Sequence, residues 1–264
     1  MLEKQRQRLI LDILDEQQFA SVRSLSTQLN SSEATIRRDL IKMSRAKQLR
    51  KIRGGAEALP NTEHKAKRQH LSGSAFLADK EVQTDVKRLI AQKAVELCED
   101  GESIIINGGS STFMMGEFLA DRQLNILTNS FVLAQELSDN SNNQITLPGG
   151  EIYRKQGIIL SAFESDTIQY YHGSKMFMGT PGIGDYGVME SDPLLIRAEQ
   201  KLRKQADQLI ILADSSKLGK RSKFIFSPLS EVDILITDSN ADEAMLDLFS
   251  SHGIQVLIAE AADK

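Results

Sequence analysis

The sequence has little of what a secreted or membrane-spanning protein needs. Its 264 residues contain one cysteine, Cys98, so no disulfide can form within the chain. No stretch approaches 18 uncharged apolar residues, which argues against a membrane-spanning helix. The first 16 residues, MLEKQRQRLILDILDE, place charges among their apolar positions, unlike the unbroken apolar core of a signal peptide. We therefore expect a cytoplasmic protein.

Metal ligands and reactive side chains are also sparse. The four histidines, at positions 64, 70, 172 and 252, lack the close spacing and carboxylate neighbours of a metal site. Cys98 lies near the end of a predicted helix, where a buried core thiol is expected rather than a reactive one. The sequence predicts neither a metal nor a cofactor.

The charge is divided unevenly along the chain. Residues 1–68 contain 15 Lys and Arg against 8 Asp and Glu, a charge of +7, whereas the remainder contains 17 against 28, a charge of −11. A basic head on an acidic body indicates that the head meets a polyanion, although a solvated basic surface is the simpler alternative.

Three short helical patterns fill the first 45 residues. The first spans Glu3 to about Glu16, the second runs from a cap at Ser21 to about Leu29, and the third begins after a cap at Ser32. The apolar positions that define their buried sides are Leu9, Ile10, Ile13, Leu14, Leu25, Leu29, Ile36, Leu40 and Met43.

The stretch TIRRDL lies in the third helix and places Arg37 and Arg38 side by side. Two short helices joined by a tight turn form a helix-turn-helix, whose second helix enters the major groove of DNA. Arginine pairs with a guanine edge or grips a phosphate. An exposed charged helix with Arg38 paired to a nearby acid is the alternative. The DNA-contacting residues predicted on this helix are Ser32, Glu33, Ala34, Thr35, Arg37, Arg38 and Lys42.

The next segment, QLRKIRGG, resembles the wing of a winged helix. Its basic residues Arg50, Lys51 and Arg53 alternate before two glycines and are expected to contact the DNA backbone. We assign residues 1–58 to this DNA-binding domain and residues 59–79, which contain Pro60 and Gly73, to a linker.

From residue 80 to 260, apolar strands alternate with helical segments. We predict helices at 86–99, 113–120, 131–138, 193–206 and 241–251, and strands near 103–106, 124–128, 145–147, 175–179, 208–214, 232–238 and 254–258. This alternation predicts an α/β domain with a largely parallel sheet covered on both faces.

Small polar residues follow the predicted strands, where ligands of such sheets bind. The run Asn107 to Thr112, NGGSST, leads into a helix and resembles a phosphate cradle, without the lysine of a P-loop or a G-x-G-x-x-G order. A helix cap with no ligand is the alternative. With the other strand ends, the predicted effector residues are Asn107, Gly109, Ser110, Ser111, Thr112, Thr128, Asn129, Ser130, Gly149, Gly150, Asp185 and Lys217.

These motifs together resemble the DeoR family of bacterial sugar-operon repressors. TIRRDL with Gly54 and Gly55 resembles its DNA-binding signature, and KRLIA at 87, GGSST at 108, TNS at 128, GG at 149, DSSK at 214 and TD at 237 follow the family's order. The resemblance covers almost the whole chain. It implies a winged helix-turn-helix joined to an effector and oligomerisation domain, residues 80–260, with a fold similar to ribose-5-phosphate isomerase.

Three departures from the family pattern are Asn107 for Asp, Ser111 for Thr and Lys80 for Arg. With AEQK and DSSKLGKR, the loop is most similar to the branch that controls L-ascorbate utilisation, which implies L-ascorbate 6-phosphate as effector.

The expected protein is a non-enzymatic transcriptional repressor with three partners: double-stranded operator DNA, a phosphorylated sugar or sugar acid, and further copies of itself as a homodimer or homotetramer. One alternative is a sugar-phosphate isomerase with a DNA-binding head, using Asp185, Glu199 and Lys217. Another is an activator or architectural DNA-binding protein without a small ligand.

Overall fold

The computed structural model describes residues 3–17, 19–29, 31–57, 82–161 and 166–260. The chain divides into two compact units, residues 1–70 and 71–264. The linker predicted at 59–79 lies outside the described residues, so the proposed domain boundaries remain predictions. Among the helices in the described ranges, none is both long and apolar enough to cross a bilayer.

The first unit contains three helices that begin where the sequence indicated. They are α1 (Glu3–Gln17), α2 (Val22–Gln28) and α3 (Glu33–Arg45). The Ser21 hydroxyl accepts a hydrogen bond from the Ser24 N–H at 3.0 Å, and the Ser32 hydroxyl accepts one from the Thr35 N–H at 3.2 Å. Each serine therefore satisfies an amide that the helix itself leaves free.

A small antiparallel sheet completes this unit. Its strands β1 (Phe19–Ser21), β2 (Arg50–Ile52) and β3 (Gly55–Glu57) are ordered β1-β3-β2. The strand β1 was not predicted, because three residues are too few for a periodic pattern. A Cβ atom at Gly55 would lie 2.3 Å from the Ala20 carbonyl oxygen, so glycine permits the central strand to approach β1. The β2–β3 hairpin forms the predicted wing.

The core of the first unit uses the predicted apolar positions. Ile10, Leu25, Ile36 and Leu40 are fully buried, and Leu14 and Met43 are nearly so. Beside this core, the Arg6 Nε donates to the buried Asp39 Oδ2 at 2.5 Å and thereby joins α1 to α3.

The second unit is built on a seven-stranded sheet in which every pairing is parallel, as predicted. The strand order is β15-β14-β12-β9-β4-β5-β6. The strands are β4 (Ser103–Ile106), β5 (Asn125–Thr128), β6 (Gln144–Thr146), β9 (Gly173–Gly179), β12 (Ala206–Leu212), β14 (Ile234–Asp238) and β15 (Gln255–Ala259).

Two apolar cores show that both faces of this sheet are covered. Ile104 and Ile106 belong to one core and Ile105 to the other, which is the alternation expected of a strand. The helices are α4 (Thr84–Val95), α5 (Ser110–Phe113), α6 (Met115–Leu119), α7 (Phe131–Asn140), α8 (Pro193–Arg203) and α9 (Glu243–Ser251). Cys98 lies in the first core, where burial raises the pKa of its thiol to about 12. The prediction that Cys98 is a buried core thiol is confirmed.

The remaining differences concern short elements. The predicted helix at 113–120 is divided into α5 and α6, and the helix predicted to reach 206 ends at Arg203 because Ala206 begins β12. Sequence periodicity also missed the hairpin of β7 (Glu151–Tyr153) and β8 (Ile158–Leu160). It missed a second antiparallel sheet, in the order β10-β11-β13, made of β10 (Gly182–Gly184), β11 (Gly187–Glu190) and β13 (Phe224–Ser227). These strands of three or four residues are too short to show a pattern.

Candidate DNA-binding helix and effector site

One exposed stripe runs along α3 on the side opposite its buried residues. Its four members follow the spacing i, i+4, i+7 and i+11, which keeps them on one face of a helix. They are Ala34, Arg38, Ile41 and Arg45. Ala34 and Arg38 were predicted from the sequence, whereas Ile41 and Arg45 were missed.

Two predicted DNA contacts, Arg37 and Lys42, lie beside this stripe and form ion pairs with acidic side chains. The Arg37 Nη2 lies 2.7 Å from the Glu33 Oε2, and the Lys42 Nζ lies 2.8 Å from the Glu3 Oε1. Arg37 is 62% exposed and Glu33 46%, so this pair contributes little stability and opens easily. The structure pairs Arg37 with an acid, whereas the alternative reading had expected such a pair for Arg38.

The start of α3 and the wing supply the other predicted contacts. The Ser32 and Thr35 hydroxyls lie 2.8 Å apart at the start of α3. In the wing, Arg50 pairs with Glu57 across the two strands. Lys51 and Arg53 are both exposed. Unlike Arg50, Lys51 and Arg53 can therefore reach a phosphate without first breaking an ion pair described in the structure.

In the second unit, Asn107 joins three elements at the carboxyl end of β4. Its Nδ2 donates to the Glu199 Oε1 on α8 at 2.9 Å, while its Oδ1 accepts from the Gly179 N–H at the end of β9 at 3.3 Å. The residue is 1% exposed. Asn107 therefore positions the loop through these two hydrogen bonds, and its role in the effector site stays a prediction.

The end of the neighbouring strand β5 holds the same loop from the side. The Asn129 Oδ1 accepts from the Gly108 N–H at 2.8 Å. The Thr128 hydroxyl accepts from the Ser130 N–H at 3.0 Å, and the Ser130 hydroxyl caps α7 by accepting from the Leu133 N–H at 3.2 Å. The structure thus brings the ends of β4 and β5 together, as the parallel sheet predicted.

The loop itself ends in a helix start that no side chain caps. Gly109 occupies the N-cap position of α5 without a side-chain hydrogen bond, and the Thr112 hydroxyl donates to the Asn107 carbonyl at 2.8 Å. The first N–H groups of a helix have no partner within the helix, so those of Ser110 and Ser111 can bind an anion.

The β7–β8 hairpin packs against this loop. A Cβ atom at Gly108 would lie 2.5 Å from the Ile158 Cγ1 on β8. Gly149 and Gly150 precede β7, and Gly150 has a φ of +154° with its α-carbon close to the Leu160 carbonyl. Glycine at position 150 therefore permits this close approach to β8, and the effector role of both glycines stays a prediction.

Asp185 and Lys217 lie on separate loops. Asp185 is in the turn between β10 and β11, where its carboxylate is 68% exposed and 3.9 Å from the Arg221 Nη2. Lys217 is half-buried in the turn that follows β12. Of the groups named in the alternative isomerase reading, Glu199 is buried and bound to Asn107, whereas Asp185 faces solvent.

Glu199 is a buried carboxyl that the sequence could not connect to the loop 92 residues away. Burial raises its pKa well above the ordinary value, the negative charge of Glu190 adds to the effect, and the hydrogen bond from Asn107 partly opposes it. Its Oε2 has no hydrogen-bond partner among the described residues. The protonated acid is therefore the favoured form in the folded protein over a wider pH range than for a free glutamate.

We expect the Glu199→Gln variant to remove a pH-dependent loss of stability. A raised pKa contributes stability that is complete below the unfolded value and is lost as pH rises through the folded value. The variant should therefore unfold at a Tm on the order of a few degrees above the wild type at pH 8, with a smaller difference at pH 5. Thermal unfolding across this range measures it. The exposed Glu243→Gln variant is the control, and parallel curves for Glu199→Gln and wild type would contradict the assignment.

The first unit is a winged helix-turn-helix with an arginine on the outward face of α3. The second is an α/β unit whose loop at residues 107–112 can bind an anion. Together they define a DNA-binding transcriptional regulator with a sensor domain. Residues 6–62 match the DeoR-like helix-turn-helix domain, and residues 82–239 match the DeoR C terminal sensor domain. The chain belongs to the DeoR family.

Curated relatives support the same class over the whole length. The chain is 33% identical over 257 residues to the HTH-type transcriptional regulator UlaR of Shigella dysenteriae, covering 97% of this chain and 99% of the relative. The UlaR of Escherichia coli K12 gives the same values. The predictions of a DeoR-family transcriptional regulator and of a non-enzyme are confirmed.

Two solved structures give partial alignments with this chain. Ribose 5-phosphate isomerase A from Methanocaldococcus jannaschii is 17% identical over 51% of this chain and 54% of that chain, with a TM-score of 0.39. The eIF2B beta subunit from Chaetomium thermophilum is 12% identical over 64% of this chain and 54% of that chain, with a TM-score of 0.41. The match thus spans about half the length of each of these structures, and it concerns the fold alone.

Proposed function

We propose that this regulator represses a carbohydrate-utilisation operon and leaves its operator when a phosphorylated sugar or sugar acid binds the second unit. The observation that carries the proposal is the uncapped start of α5 at Gly109, held in place by Asn107 and Asn129 from two neighbouring strand ends. A rigid loop that presents free amides is suited to a phosphate.

We expect the rest of the ligand to be polar. Hydroxyls of Ser110 and Ser111 lie beside the amides, and the β7–β8 hairpin packs against the same loop through Ile158. These groups favour a ligand whose phosphate binds the helix start and whose hydroxyls meet the adjacent polar residues. The resemblance of the loop to the L-ascorbate branch makes L-ascorbate 6-phosphate our specific proposal.

Release from DNA requires that the ligand and the operator favour different states of the protein. If the effector weakens operator binding by some factor, the operator must weaken effector binding by the same factor. A symmetric homodimer or homotetramer would place two copies of α3 on half-sites of the operator, and we propose such an assembly.

Fluorescence anisotropy at fixed salt tests the proposal. A labelled duplex that the wild-type protein selects from a random-sequence library is titrated with protein, and the complex is then exposed to a panel of sugar phosphates including L-ascorbate 6-phosphate. We expect one phosphorylated compound to release the duplex, while its unphosphorylated form does not. Tight specific binding that no member of the panel changes would contradict control by a phosphorylated sugar.

A further inference from the structure

We propose that Ile41 is a specificity-determining residue that reads the C5-methyl group of a thymine in the operator. The inference rests on the DNA-binding function of α3 and extends it to a residue outside the TIRRDL motif. Its basis is the position of an exposed isoleucine in the middle of the outward stripe of α3, next to Arg38.

Within the stripe, a charged residue lies between two apolar ones. Arg38 is flanked along the helix by the apolar residues Ala34 and Ile41, four positions before it and three after it. Ile41 is 38% exposed although the buried face of α3 already has Ile36, Leu40 and Met43. Ile41 does not belong to the core of the first unit, and its exposed part presents an apolar surface on a face otherwise rich in cations.

Charge complementarity identifies the partner as DNA. Arg37, Arg38, Lys42 and Arg45 surround Ile41 on the exposed part of α3, and acids pair with Arg37 and Lys42. For Arg38, the described part of the chain gives no ion pair. A cationic face with an apolar centre matches the major groove, where acceptor atoms of guanine lie beside the methyl groups of thymine.

The dimensions agree with this reading. Ile41 lies seven positions after Ala34, a distance of about 10 Å along the helix axis. Because successive base pairs rise about 3.4 Å along the DNA axis, side chains at this spacing can reach different base pairs of one groove. Arg38 then faces a base between those reached by the two apolar side chains. Isoleucine extends further from the helix than alanine, so the larger methyl contact belongs to Ile41.

Replacing single thymines by uracil in the selected duplex tests the contact, because uracil lacks only the methyl group. The wild type should lose about three- to fivefold in affinity at one thymine of each half-site, as expected for removing one buried methyl contact. The Ile41→Ala variant should bind the original duplex with a similar loss and should no longer distinguish thymine from uracil at that position.

The Ile225→Ala variant is the matched control, since it removes an exposed isoleucine from the second unit. It should retain the full response to uracil. The inference is overturned if wild-type affinity is insensitive to uracil at every position, or if Ile41→Ala keeps the wild-type response. Failure of the wild type to select any duplex would instead overturn the DNA-binding function on which the inference rests.

Discussion

The Arg38→Ala variant is expected to lose about ten- to one-hundredfold in affinity for the selected operator, while its affinity for unrelated DNA falls much less. The reason is that Arg38 lies at the centre of the outward stripe of α3, directly opposite the buried Leu40 side. A bidentate contact between arginine and guanine contributes about 1–3 kcal/mol of discrimination. Anisotropy titrations with both duplexes at one salt concentration measure the two losses.

Lys51 provides the contrasting variant in the same domain. It lies on the wing and is exposed, so Lys51→Ala should weaken binding to all sequences alike and lower the slope of affinity against salt by about one. Circular dichroism should show that both variants remain folded. A uniform loss for Arg38→Ala, equal on specific and unrelated DNA, would assign Arg38 to the phosphate backbone and contradict a base contact.

Arg37 and Arg38 are adjacent on α3, but only Arg38 lies on its outward stripe. The Arg37 guanidinium is already 2.7 Å from Glu33 and lies to the side of the stripe. Sequence alone could not rank Arg37 against Arg38, because both are adjacent, charged and predicted to be exposed. To decide which arginine faces outward, one needs the direction of each side chain relative to the buried Ile36 and Leu40, and the ion pair of Arg37. Both are seen only in the folded unit.

The main features of the fold could be predicted because they have strong local signals. Serines cap α2 and α3, apolar residues recur at helical spacing, and strands such as SIII at 103 are buried on both faces. The short strands β10, β11 and β13 gave no such signal. The pairing of β11 with β13 depends on contacts between distant segments, such as Val188 with Ser227 and Glu190 with Phe224.

The meeting of the strand ends at the candidate effector site was predictable, whereas the contacts of their side chains were only partly so. The carboxyl ends of β4 and β5 converge by the geometry of a parallel sheet, which the sequence pattern implied. The sequence could not show which side chains bind the loop and which face solvent. Asn107 and Asn129 bind the loop through their side chains, whereas Asp185 faces solvent on another turn. The contact of Asn107 with Glu199 spans 92 residues and has no sequence signature.

The Ser110→Leu variant is expected to lose the response to the effector entirely while keeping operator affinity. Ser110 is the first residue of α5, beside the uncapped amides, and its side chain is partly exposed. A leucine there would occupy the space of a phosphate and offer it an apolar surface, which it cannot hydrogen-bond. Release of the labelled duplex, measured against concentration of the active sugar phosphate, gives the result.

Ser110→Ala distinguishes the amides from the hydroxyl at the same position. If backbone N–H groups supply most of the phosphate binding, the alanine variant should still release the duplex but should need about ten- to one-hundredfold more effector, since it loses one hydrogen bond to a charged group. The leucine variant should remain bound to DNA at every effector concentration. Normal release from Ser110→Leu would place the phosphate away from α5, whereas weak operator binding by that variant would show that the substitution disturbs more than this loop.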